Sequence, residues 1–320
     1  MNYKKYQNKA NKPTRHGFGE GLRDAGYHNS QVVALGADIT GSVSVNFFKE
    51  AFPGRFYSIG IAEQNATGIA SGMALSGLIP VFATYGVFSA MRNTDQLRIS
   101  ICYNNVHAII GGAHAGISVG PDGATHQALE DIAITRSLPN MTVLSPCDAD
   151  QTHKALQAAV NDITGPVYIR FGREKVPNFT GMDLPFETGK GQMLKPGNDL
   201  AIIATGHMVW HALQAAYQLE KRNIDAQVIN IHTIKPIDKD MIINAAKETG
   251  RIITAEEHQI TGGLGAAVTE ITSEYAPVPV KIIGMPGCFG ESGKPEELME
   301  KYGLSAENII NEAYKILSRT

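Results

Sequence analysis

At 320 residues, 43% hydrophobic and 18% charged, with a formal net charge of −3, the chain can build two domains that each bury a core, and its charge favours neither nucleic acid nor a membrane surface. No apolar stretch is long enough to span a bilayer and the N-terminus lacks the apolar core of a signal peptide, so the expected compartment is cytoplasmic. Cys102, Cys147 and Cys288 are far apart, in or near apolar segments; they suggest neither a disulfide framework nor a zinc site and are expected to be buried and inert.

The first fifteen residues carry Lys4, Lys5, Lys9, Lys12 and Arg15 without an acid and read as a flexible basic tail, 1–15. From Val32 onward, short β-branched runs alternate with amphipathic stretches. VVALGAD reads as a strand, Ala62 to Ser76 as a helix, IPVFAT as a strand, Val87 to Tyr103 as a helix and VHAIIGG as a strand. HQALEDIAITRSL then reads as a helix, MTVLSP as a strand, Asp148 to Val160 as a helix and PVYIRFGR as a strand. The segment 175–198 is rich in Pro and Gly, lacks periodicity and reads as a linker with at most a small hairpin. Beyond it come LAIIATG, a helix from Met208 to Lys221, DAQVINIHTI, a helix from Lys239 to Thr249, RIITAEEH, a helix from Leu264 to Tyr275, and VKIIGM. Helices around Pro295 to Tyr302 and Ser305 to Ser318 close a second, smaller unit of about five strands. The expected fold class is α/β in two domains, 16–174 and 199–320, each a mostly parallel sheet covered by helices.

Open parallel sheets bind ligands in the loops after their strands. The polar and Gly-rich clusters GADITGS, TYGVF, GGAHAGISVGPDGATH and GRE fall there. Glu63 is the one acid in SIGIAEQNATGIASGMALSG, where a helix begins; such a carboxylate is either satisfied by the helix N-terminus as a structural group or used in chemistry. Tyr85 and Phe88 follow the next strand. An acid facing an aromatic is what the aminopyrimidine of a thiamine cofactor needs: a proton partner for a ring nitrogen and a flat face to stack on.

His114, Asp122 and His126 lie in a loop with five glycines, which reads as a binding loop or as a solvated one. The same residues could ligate a metal, but no short ligand spacing supports that. Arg173 and Ser42 suit a phosphate; Arg170 competes, and strand alternation puts the two arginines on different faces. Asp38 ends the first strand as a turn residue or a site residue. GGLG from Gly262 reads as a helix start, and Glu256, Glu257 and His258 as a strand-end loop.

The stretches SIGIAEQNATGIASGMALSG, PVFATYGVF and GPDGATHQALEDIAITRSLPNMTVLSPCDA resemble the pyrimidine-binding domain of transketolase-like thiamine diphosphate enzymes. The later TGGLG, EEH and FGESG segments resemble that family's third domain, so the similarity runs from near His16 onward. The GDG…N magnesium motif of the family's diphosphate-binding domain is not found in the sequence. The resemblance therefore implies the C-terminal subunit of a split transketolase. Its partner subunit would carry the diphosphate site and the Mg²⁺ ligands, and the assembly would be a heterotetramer.

Carried over residue by residue, Glu63 would hydrogen-bond the aminopyrimidine N1′, Phe88 would stack on that ring with Tyr85 beside it, and Asp38 and Ile39 would lie near the thiazolium. His114 and His126 would line the substrate channel, Asp122 would read an acceptor hydroxyl, and Ser42 and Arg173 would contact a phosphate; Glu63, His126 and His114 form the expected catalytic set. Met91 and Ala115 depart from residues found in relatives and bear on the choice of sugar. A 1-deoxyxylulose-5-phosphate synthase, the β subunit of a 2-oxo acid dehydrogenase and a non-catalytic scaffold subunit are the alternatives. The third domain is expected to be structural and remote from the motif loops.

Overall fold

The structure, a computed structural model, describes residues 6–318, so Lys4 and Lys5 of the expected tail lie outside the described residues. From Ala10 that tail is ordered after all. Strand β1 (Ala10–Pro13) pairs antiparallel with β8 (Lys175–Asn178), which satisfies its backbone groups, and Thr14 already opens helix α1 (Thr14–His28). Sequence patterning missed α1 because Gly17, Gly19, Gly21 and Gly26 lower its helix propensity. At Gly17 the reason is contact: a Cβ there would lie 2.0 Å from the Ala149 carbonyl oxygen at the start of α6 (Ala149–Asn161).

The first sheet contains β2 (Val32–Gly36), β3 (Phe56–Ser58), β4 (Ile79–Tyr85), β5 (Ile109–Ala113), β6 (Thr142–Leu144), β7 (Val167–Arg170) and β12 (Thr233–Lys235). Their order is β12-β6-β7-β5-β4-β2-β3, and all neighbours but β12 and β6 run parallel. Both faces are covered, which explains the continuous apolar strands. Ala34, Val81 and Val167 pack with Phe18 and Leu22 of α1 and Leu156 of α6, while Leu35, Phe82, Ile110 and Tyr168 cluster with Ala66 and Ala70 of α3 (Glu63–Leu75). The register sets Tyr85 beside Ala113 and Gly112 beside Arg170, so the chain leaves β4, β5 and β7 along one edge.

Further stretches depart from their sequence reading. The helix from Val87 to Tyr103 is widened into π-helical segments, Val87–Arg92 and Leu97–Tyr103, joined by the α-helical turn α4 (Thr94–Gln96). The Thr94 hydroxyl donates back toward the carbonyls of Ala90 and Met91 at 2.8 and 2.9 Å, which disturbs a regular ladder. The expected helix at 126–138 shrinks to α5 (Asp131–Ser137), because Ala128 instead accepts the Gly116 N–H. DAQVINIHTI is two strands in two sheets: β11 (Ala226–Asn230) stays in the second domain, whereas β12 crosses to lie antiparallel on β6.

The second sheet has the order β14-β13-β10-β11-β9, parallel except for β9 (Gln192–Lys195) against β11. Its other strands are β10 (Leu200–Ala204), β13 (Ile252–Gln259) and β14 (Val280–Met285), and α7 (Met208–Glu220), α8 (Lys239–Thr249), α9 (Leu264–Tyr275), α10 (Pro295–Lys301) and α11 (Ala306–Leu317) complete the unit. The linker holds no hairpin, since β8 pairs with β1 and β9 with β11. Glu256, Glu257 and His258 lie inside β13 and are buried, not in a loop, and Glu256 accepts the N–H groups of Leu264 and Gly265 at 2.7 and 2.8 Å to cap α9. Cys102 and Cys147 are buried as expected, but Cys288 is exposed in the turn between β14 and α10.

Candidate active site

Glu63 is the first residue of α3, reached from β3 by the short loop 59–62, so its carboxylate stands where the helix N–H groups favour negative charge. It is 3% exposed, and its Oε2 accepts from Arg92 Nη1 at 2.8 Å. The Arg92 guanidinium carbon also lies 4.1 Å from the centre of the Phe88 ring. The acid and the aromatic therefore converge on one planar group that is hydrogen-bonded at its edge and stacked on its face. Those are the two contacts an aminopyrimidine requires, so the residues fit the pyrimidine half of a thiamine cofactor. Arg92 must turn aside for such a ring to enter. The sequence reading missed it, although it stands four residues after Phe88, within the spacing that stacks side chains on one helix face.

The other aromatic and titratable groups meet at the carboxyl edge of β4 and β5. The Tyr85 ring centre is 4.1 Å from His114, 5.6 Å from His126 and 5.9 Å from Phe88, and Phe88 is 5.7 Å from His126. His114 holds a left-handed φ of 53°, unusual for a side-chain-bearing residue, and its Nδ1 is buried with no hydrogen-bond partner among the described residues. His126 Nδ1 lies 2.9 Å from Thr125 Oγ1, which fixes the ring. Asp122 pairs with Arg173 Nη1 at 3.0 Å.

Arg170 is not an anion binder. It is buried in a pair with Asp131 at 3.0 Å and donates to the carbonyls of Ala128 and Glu257 at 3.1 and 2.7 Å. Arg15, read as part of a loose tail, instead belongs here. Its Nη1 donates to the Ser42 carbonyl at 2.9 Å, and burial first and the Arg173 charge second press its guanidinium below the ordinary arginine value. Arg15 and Arg173 thus bring two positive charges to one edge, where Asp122 and Glu174, the latter 3.5 Å from Arg173 Nε, partly offset them. Asp38 is exposed with φ of 63°, and Ile39 packs on the core around Phe18; both lie on the loop after β2 but share no hydrogen bond or ring contact with the histidine cluster among the described residues. Also among the described residues, no three His, Cys, Asp or Glu side chains are grouped to hold a metal ion.

Burial, followed by the charges of Arg15 and Arg173, lowers the His114 pKa from 6.5 to about 3. Its imidazole is neutral at every working pH. In the unfolded chain the same ring takes a proton near 6.5, so between that pH and about 3 the unfolded state binds more protons and stability falls as pH falls. Urea titrations at pH 7 and pH 5 should show this loss, and His114→Asn should reduce the difference between them. An identical pH slope in that variant would refute the buried neutral ring.

A carboxylate and a stacking ring at the carboxyl edge of a parallel sheet, backed by a second α/β domain, suit a flat heteroaromatic group held against an acid. Family models described as "Transketolase, pyrimidine binding domain" and "Transketolase, C-terminal domain" match residues 10–178 and 189–309. The chain belongs to the transketolase family, as a transferase subunit of transketolase type. It is 40% identical over 306 residues to one of the subunits of an apulose-4-phosphate transketolase from Phocaeicola vulgatus, covering 95% of this chain and 97% of that one. It is 38% identical over 292 residues to a 6-deoxy-6-sulfo-D-fructose transketolase subunit of Clostridium sp. strain MSTE9, covering 91% and 90%. A solved split-gene transketolase, described as an inactive beta4 tetramer, superposes with a TM-score of 0.88 at 42% identity, covering 97% of this chain and 99% of that one. The family brings dependence on thiamine diphosphate.

Proposed function

We propose that this chain is the C-terminal subunit of a two-subunit cytoplasmic transketolase. It would move a two-carbon ketol unit from a ketose phosphate to an aldose or aldose phosphate, with Mg²⁺ and the cofactor diphosphate held by a separate subunit. The observation that carries the reading is the convergence of Glu63 and Phe88 on one planar group, beside the Tyr85, His114 and His126 rings. Bound thiamine diphosphate would supply the electron sink that breaking a carbon–carbon bond beside a carbonyl needs.

This chain's residues would do the rest. Glu63, out of water, would hold a proton at the pyrimidine N1′, and Phe88 would fix the ring plane. His114, kept neutral, can donate from one nitrogen and accept at the other, which suits a sugar carbonyl or hydroxyl. His126, more open and steadied by Thr125, is placed to pass protons to and from the substrate oxygens. Arg15, Arg173 and Ser42 would anchor the anionic end of the sugar, and Asp122, already on Arg173, would read a neighbouring hydroxyl. That the two curated relatives are named for a phosphate and a sulfonate sugar agrees with an anion seat of this kind.

A partner is supported by relatives of matching length that are named as subunits, and by the surface beside the site. On α3 the outward residues Gly68 and Gly72 have open space above them, between exposed Ile61 and Leu75, and Tyr103 stands exposed on the adjoining π-helical segment. Apolar ends around a small-residue centre suit a closely packed helix from the diphosphate-binding subunit, next to Glu63. The test is ketol transfer with thiamine diphosphate and Mg²⁺ by this chain alone and with its co-purified partner. Activity only with the partner is expected; pyruvate consumption without ketol transfer would move the assignment to an oxo-acid enzyme.

A further inference from the structure

The loop carrying His114, Asp122 and His126 does not rest on its own domain alone, and the second domain is not remote from it. At one end, Glu257 of β13 reaches across: its Oε1 accepts the Ser118 N–H at 2.6 Å, while its other oxygen lies 3.2 Å from His207 Nδ1. Burial alone would raise the Glu257 pKa, but His207 and Arg170 more than offset it, so the group stays a carboxylate, the stronger acceptor. Gly116 leaves the room for this contact, since at its φ of 90° a Cβ would lie 2.2 Å from Glu257 Oε1.

At the other end Gln127, 2% exposed, divides the two hydrogens of its side-chain amide among three carbonyls, Ile117 and Gly120 sharing one. Nε2 donates to Glu291 in the second domain at 2.9 Å, and to Ile117 and Gly120 of the loop at 3.3 and 3.4 Å. Between these pins the loop presses on the turn before α10. A Cβ on Gly120 would lie 2.9 Å from Pro295, and one on Gly123 would lie 2.5 Å from Ser292 Oγ.

We propose that Gln127 and Glu257 are positioning residues, and that the second domain fixes the loop from which His114, Asp122 and His126 meet the substrate. Neither residue touches the substrate; each acts by holding loop backbone, which is a role for the second domain beyond assembly. The proposal rests on the functional reading above for the substrate, but the holding itself is a property of this chain alone. Loss of a pin leaves the loop near its native course on average and costs the substrate the entropy of re-ordering it, so the effect falls on substrate binding.

The experiment uses Gln127→Leu, which keeps bulk without donors, and the pair Glu257→Leu and Glu257→Gln, of which only Gln still accepts from Ser118. Hydrogen exchange in the full chain should speed the amides of 117–126 at least tenfold more than amides elsewhere in Gln127→Leu and Glu257→Leu, beyond what any fall in the urea midpoint accounts for, with Glu257→Gln close to wild type. In the complex reconstituted with its partner, both Leu variants should raise KM for the sugar phosphate about tenfold, change kcat less than threefold and leave thiamine diphosphate affinity unaltered. Wild-type exchange rates in folded Leu variants would overturn the proposal, as would fast exchange with an unchanged KM. If Gln127→Leu fails to fold, the Glu257 pair decides on the same criteria. Absence of ketol transfer in the wild-type complex would sink the functional reading instead, and the exchange rates would still decide whether the second domain holds the loop.

Discussion

Glu63→Gln lowers ketol transfer by the reconstituted enzyme by about 10²–10⁴-fold, the range that general acid–base groups contribute, while the folded chain survives. The substitution keeps shape and an oxygen facing Arg92, so the proposed stacking of the cofactor ring on Phe88 is expected to survive. What it removes is a group able to take and return a proton at a site shielded from water. The stability cost is small because Arg92 is 43% exposed on its side chain and can turn to solvent when its partner loses charge. Steady-state rates beside urea unfolding of the same preparation separate the two effects. Turnover within threefold of wild type, with cofactor bound, would make Glu63 a structural cap and nothing more.

Filling the small-residue face of α3 has effects of opposite sign on the subunit and on the enzyme. Gly68→Leu with Gly72→Leu places side chains into open space, and each change removes a helical glycine, which should stabilise the isolated chain by about 0.8–1 kcal/mol per site. In the proposed interface a partner helix would then meet two new side chains where it needs close approach. Affinity for the diphosphate-binding subunit should fall more than a hundredfold, and activity with it. Mixing experiments by sedimentation, read against the urea midpoint of the variant alone, measure both. A more stable variant that still assembles and turns over normally would remove α3 from the interface.

The parts of this molecule that were legible in its sequence are those where local pattern and tertiary burden agree. The central strands β2, β4, β5, β7, β10, β11 and β13 and the helix from Ala62 were readable because apolar runs buried on both faces leave an unmistakable signature, whereas the short edge strands β3, β9 and β12 carry no such run. Glu63, Phe88, Tyr85, His114 and His126 were found from chemistry, as residues too costly or too specific for a bland role, and the structure gathers them. Failures came where a long-range contact overrides local propensity. Four glycines hid α1 because they serve its packing against its neighbours and not its own helicity. Arg15 looked like part of a solvated charge run, and only the pairing of β1 with β8 carries it to the Ser42 carbonyl. Asp131 and Arg170 became mutual partners across the fold, a match invisible at a separation of 39 residues.

β12 sets a limit on how this polypeptide can be divided. It comes from the second half of the chain yet closes the edge of the first sheet, with Thr233 opposite Leu144. A cut between the domains would strip β6 of that cover and expose a row of unpaired backbone groups, the kind of edge that recruits strands from other molecules. The same cut would leave the second unit trailing a strand with no sheet to join. The two sheets thus form one unit of inheritance: a break near residue 190 is expected to yield two chains that aggregate before they could meet.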